Sequence, residues 1–100
     1  MSIYVDLDGT LAHYDKWRGP EHIGEPVPEM LKKVRELLDA NVKVVIFTAR
    51  ASIPEYIPFV EAWLIKHNID AEVSCIKGFD AQEFWDDRAR RVGMNTGEFV

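Results

Sequence analysis

Cysteine is nearly absent from this sequence: Cys75 is the only one among 100 residues. A lone thiol excludes an internal disulfide and removes the case for a thiolate zinc cluster. No apolar run approaches the roughly 20 residues that a bilayer-spanning helix needs. The opening Met1-Ser2-Ile3-Tyr4-Val5-Asp6 lacks the basic flank and long apolar stretch of a secretion signal, so a cytoplasmic protein with no membrane partner is expected. Positive charge is also scarce. A net charge of −5 argues against a general electrostatic grip on nucleic acid. One basic cluster, Arg88, Arg90 and Arg91, could hold a phosphate group, although such a cluster is more often a solvated helix face. Repeats, low-complexity tracts and interdomain linkers are missing too, which leaves residues 1–100 as a single domain.

What is present is an alternation of short apolar runs with helical patterns. Ile3-Tyr4-Val5 breaks abruptly into Asp6-Leu7-Asp8-Gly9-Thr10, as a buried parallel strand does at a polar turn. Val42 through Phe47 forms a second run, ending at Thr48-Ala49-Arg50. Residues 72–76 form a third, followed by Lys77-Gly78, and Phe84-Trp85 a short fourth, running into Asp86-Asp87. Between the first two, Met30, Leu31, Val34, Leu37 and Leu38 recur at helical spacing, with Pro28 suited to a first turn and Asn41 to a stop. Between the second and third, Phe59, Val60, Trp63 and Leu64 mark another helix, entered at Pro54 or Pro58 and closed near Asn68.

Alternating strands and helices imply an α/β domain with a mostly parallel sheet of four to five strands, right-handed crossovers and helices on both faces. The tail after Gly93 is expected to turn back and add a short edge strand. Residues 11–27, with His13, Tyr14, Trp17 and His22 but no clear periodicity, are long for a loop in so small a domain. They read equally as a flap over a site or as a loop whose aromatics anchor it to the core.

The chemistry lies in position. Asp6 and Asp8, Thr48, Lys77, and Asp86 with Asp87 each follow the carboxyl end of an expected strand, the edge where open α/β sheets bind ligands. Carboxylates crowded there repel one another unless a cation joins them. Oxygen-only ligands favour a hard cation, and phosphate chemistry favours Mg²⁺. With the charge on a phosphoryl group neutralised, a carboxylate can attack phosphorus, and a second acid can protonate the leaving group and then activate water. Asp-x-Asp provides such a pair if the chain turns sharply, which Gly9 allows while exposing backbone N–H groups to phosphate. Thr48 offers a hydroxyl and the N–H groups that follow it, at Ala49 and beyond. Duller readings stand beside these. Lys77 could be a surface lysine and Asp86-Asp87 a capping pair. Arg50 and Arg88 suit salt bridges to the acidic edge as well as substrate contact.

Together, Asp6-Leu7-Asp8-Gly9-Thr10, Phe47-Thr48, Lys77 and Phe84-Trp85-Asp86-Asp87-Arg88 resemble the four motifs of the haloacid dehalogenase superfamily, from Ile3 to about Arg88. The resemblance implies a Rossmann-like sheet, Asp6 as nucleophile, Asp8 as general acid/base and Lys77 as the third-motif lysine. It also implies a Mg²⁺ held by Asp6, the backbone carbonyl of Asp8, and Asp86 or Asp87. Neither insertion point leaves room for a cap domain, so the likeness is to minimal, capless phosphatases. An open site suits a large phosphorylated substrate, such as a nucleic acid end or a phosphoprotein, or a second subunit that covers it. The Asp-Asp-Arg-Ala stretch tilts the substrate toward a nucleotide or polynucleotide. The alternative is a phosphate-binding or receiver-like signalling module, but the second strand ends without the aspartate that a receiver would phosphorylate.

Overall fold

The computed structural model describes all residues from Met1 to Val100. Four strands and two helices follow one another as β1 (Ser2–Val5), α1 (Pro28–Asp39), β2 (Lys43–Phe47), α2 (Ile57–Lys66), β3 (Glu72–Ser74) and β4 (Ala81–Trp85), with two 3₁₀ turns, Ala49–Ser52 and Pro54–Tyr56, before α2. The sheet is entirely parallel in the order β3-β2-β1-β4. No helix is long and apolar enough to cross a membrane.

Local sequence explains the helix limits. Pro28 occupies the first turn of α1, where its missing N–H costs no hydrogen bond. Asn41 (φ 60°) and Asn68 (φ 56°) take the left-handed conformation that ends a helix, and the next residues, Val42 and Ile69, donate back to Leu37 and Leu64. Along β1 and β2 the side chains alternate between faces. Ile3, Val5, Val44 and Ile46 join Val34 of α1 and Val60, Trp63 and Leu64 of α2 in one buried cluster. Each fully buried aliphatic side chain there contributes about 1.5–3 kcal/mol.

That cluster corrects the expectation of helices on both faces. Both helices pack on the same one, because two successive right-handed crossovers that step in one direction, β1 to β2 to β3, must share a face. The opposite face carries Tyr4, Phe47 and Phe84, with ring centroids 5.2–5.7 Å apart, and is crossed by the short segment of residues 75–80. Gly78 lies so close against the Tyr4 hydroxyl that no side chain would fit there.

Smaller differences have local causes. β3 stops at Ser74 rather than residue 76 because the Ser74 hydroxyl accepts from the Ile76 N–H and bends the chain. β4 begins at Ala81, earlier than its apolar pair suggests, since exposed Gln82 and Glu83 hide an edge strand from a hydrophobicity reading. Phe59, expected on the inner side of α2, is 40% exposed. The tail does not extend the sheet: Val92 bridges Phe99 antiparallel, so the chain closes a small hairpin on itself. Residues 11–27 are tied down at their base by Val27 N–H to Leu11 O (2.8 Å), His13 N–H to Glu25 O (2.9 Å) and Trp63 Nε1–H to Gly24 O (2.9 Å).

Candidate active site

The carboxyl ends of β1, β2 and β4 open into a cleft of about 820 Å³ lined by Asp6, Asp8, Thr48, Ala49, Arg50, Asp86, Asp87 and Arg88 together with Tyr14, Trp17, Phe47, Ile53, Tyr56 and Cys75. Asp6 is placed by its own N–H, which donates to Trp85 O at 2.9 Å and carries the ladder one residue past β1. The chain then turns tightly, with Leu11 and Ala12 N–H both bonded to Leu7 O. Gly9 sits at φ 89°, and a Cβ there would lie 2.8 Å from an Asp87 carboxylate oxygen. Glycine is needed twice over, for the left-handed backbone and for the approach of Asp87. The Gly9 backbone departs from the expected phosphate contact. The Gly9 N–H is spent inside the turn on Ala12 O (2.8 Å) and does not face a phosphate, whereas the Asp8 N–H bonds to no acceptor in the chain.

Asp6, Asp86 and Asp87 offer carboxylate oxygens within 4.8 Å of one another. Thr10, 8% exposed, stands between two of them. Its hydroxyl accepts from the Asp87 N–H (3.0 Å) and faces Asp6 Oδ2 (3.2 Å) and Asp87 Oδ1 (3.0 Å). It carries one hydrogen, so it serves only one of these carboxylates at a time. Repulsion is therefore only partly relieved: burial first, then the Asp86 charge, push the Asp6 carboxyl up to about 7. An octahedral Mg²⁺ holds its oxygen ligands about 3–4 Å apart. Three hard anionic donors this close could hold a hard cation, and the Asp8 carbonyl accepts no hydrogen bond in the chain.

Asp8 is held differently. Arg50 grips it with Nε–H to Oδ2 (2.7 Å) and Nη2–H to Oδ1 (3.0 Å). The same guanidinium donates to Pro20 O and His22 O (3.0 Å each), and its Cζ lies 4.7 Å from the centre of the Trp17 ring. At 6% exposure, Arg50 thus joins the tip of the 11–27 loop to Asp8. Arg50 makes the expected salt bridge, with Nε and both terminal nitrogens engaged within the protein, and it also lines the cleft. The 11–27 loop is anchored at its base by backbone bonds and the Trp63 indole rather than by its own aromatics, and Tyr14 and Trp17 stand half exposed at the cleft.

On the β2 side, Thr48 begins a 3₁₀ turn and its hydroxyl oxygen accepts from the Arg50 N–H at 3.2 Å. The Thr48 hydroxyl hydrogen and the Ala49 N–H bond to nothing in the chain, so both remain for a ligand in the cleft. Lys77 is the expected residue that the fold leaves apart. It is absent from the cleft wall, and its ammonium lies 5.2 Å from the centre of the Phe84 ring. The 75–80 segment draws it over the sheet face. Two residues of the site carry no separate signal in the sequence: Thr10 only closes the Asp6–Thr10 motif, and Tyr56 belongs to no pattern.

The raised Asp6 carboxyl has a thermodynamic consequence. Between its unfolded value of 3.8 and its folded value of about 7, the native state binds more protons than the unfolded chain. Stability of the metal-free protein should therefore fall as pH rises through this window. A cation that needs ionised ligands works in the opposite sense. Thermal melts should show Mg²⁺ raising Tm clearly at pH 8 and little at pH 5. A Tm at pH 8 indifferent to Mg²⁺ would count against a cation site.

No family model matches the chain, and no curated protein or solved structure matches it.

Proposed function

We propose that the chain is a Mg²⁺-dependent phosphomonoesterase of the haloacid dehalogenase type, built on a minimal Rossmann-like domain without a cap. The reading is carried by one observation. Asp6, on the last rung of a central strand, shares an open cleft with two carboxylates from the far end of the chain and with unengaged donors from β2. Only 17 residues at 11–27 and the short 75–80 segment occupy the places where a cap would be inserted.

A bound Mg²⁺, held by Asp6, Asp86, Asp87 and the Asp8 carbonyl, would neutralise charge on the phosphoryl oxygens. The chain itself supplies the remaining steps. The Asp8 N–H, the Thr48 hydroxyl and the Ala49 N–H hold phosphoryl oxygens. The Asp6 carboxylate attacks phosphorus, the ester P–O bond breaks, and Asp8 delivers its proton to the leaving oxygen. Water then attacks phosphorus of the aspartyl phosphate while Asp8 takes up its proton, releasing phosphate and restoring Asp6. Arg50 occupies two of the four lone-pair directions of Asp8 and leaves the others to hold and pass that proton.

The test is hydrolysis of aryl and alkyl phosphates with and without Mg²⁺. Turnover should require the ion, and Asp8→Asn should slow alkyl esters far more than aryl esters, whose leaving groups need little protonation. Equal losses for both classes would remove Asp8 from the acid role. Absence of Mg²⁺-dependent turnover over the whole series would reduce the protein to a phosphate-binding module.

A further inference from the structure

Two of the aromatic side chains at the cleft, Tyr14 and Trp17, are each 49% exposed. Trp17 is also preset. Its ring stacks on Tyr56 (centroids 5.9 Å apart, planes 29°) and rests against the Arg50 guanidinium, whose other edge grips Asp8. An aromatic ledge therefore stands one guanidinium away from the acid/base. Large aromatics left half exposed beside a polar site, and already fixed in orientation, are suited to receive a flat apolar group. Resting on the phosphatase reading above, we propose that this ledge of Tyr14, Trp17 and Tyr56 stacks the base of a free nucleoside monophosphate, with the phosphate at Asp6.

Charge selects the free nucleotide over a nucleic acid end. A polynucleotide needs a basic track along its backbone. This cleft offers two cations, Arg50 and Arg88, and Arg50 is committed to Asp8 and to the loop. Arg88, whose side chain has no hydrogen-bond or ion-pair partner, can meet one phosphate but not a chain of them. The net charge of −5 and four aspartates at the cleft oppose a polyanion further.

The experiment compares kcat/KM for nucleoside 3′- and 5′-monophosphates, ribose 5-phosphate, a phosphoserine peptide and end-phosphorylated oligonucleotides, with Mg²⁺. Nucleoside monophosphates should exceed ribose 5-phosphate by about tenfold, in keeping with the stacking of one base on an aromatic side chain. Trp17→Ala should shrink that ratio to near one, and Tyr14→Ala, which leaves the Arg50 contacts alone, should reduce it. The ratio is the readout because a disturbance of Arg50 and Asp8 lowers both substrates alike. A ratio near one in the parent protein, a ratio unmoved by both variants, or a preference for oligonucleotides or the peptide would each overturn the ledge. If no ester is hydrolysed, the phosphatase reading falls by itself. Calorimetry with adenosine monophosphate against ribose 5-phosphate then decides the ledge, upheld by tighter nucleotide binding and overturned by equal binding.

Discussion

Asp6→Asn should abolish turnover, lowering kcat by about a thousandfold or more, because an amide cannot act as the anionic nucleophile in the first chemical step. The fold should survive. Asn has nearly the same shape, the Thr10 hydroxyl can still donate to its amide oxygen, and the Asp6 N–H remains bonded to Trp85 O. Losing the charge should even help the metal-free protein above pH 7, where the native Asp6 is ionised against Asp86 and Asp87. The variant is therefore expected to melt higher than the parent at pH 8 in a chelator, and to show a flatter dependence of Tm on pH. Steady-state kinetics and paired melts check both halves. A variant that kept near-normal rates would remove Asp6 as nucleophile. A variant that unfolded would show that its carboxyl is structural instead.

Arg50→Ala should give the largest loss of stability of any single change at the cleft. It removes two charge-assisted bonds to Asp8, two bonds to loop carbonyls and the support under Trp17. Stripping one partner from a buried ion pair costs about 3–5 kcal/mol. The Asp8 side chain is 20% exposed, so water recovers part of this and the lower end of that range applies. Even about 3 kcal/mol is a large share of the stability of a small domain. Arg50→Lys should recover little, since an ammonium cannot bond both oxygens and both carbonyls from one planar fork. Urea titration should record the loss, and limited proteolysis should show new cleavage within residues 15–23. Unchanged denaturation and an unchanged digest would mean that the loop is held by its base alone.

The parts of the molecule legible from sequence were those whose cause is local. The ends of β1 and β2 coincide with the ends of apolar runs, so Asp6 and Thr48 could be placed at one sheet edge from the pattern alone. Pro28, Asn41 and Asn68 mark helix limits through conformational preferences that act within a few residues. Gly9 was readable as a turn, but not as the seat of Asp87, which comes from 78 residues further along the chain. The 3₁₀ turn that carries Tyr56 to Trp17 left no periodic trace.

The amino-acid sequence by itself determined the α/β alternation, the parallel sheet and the acidic edge, because strand length, helix period and turn preference act over short stretches of chain. Tertiary structure alone decided that both helices share one face, that Arg50 turns inward to Asp8 and that Lys77 turns outward to Phe84. A long cationic side chain has several rotatable bonds and nearly equal local choices. Its direction is settled only by which distant carboxylate, carbonyl or ring the folded chain brings within reach.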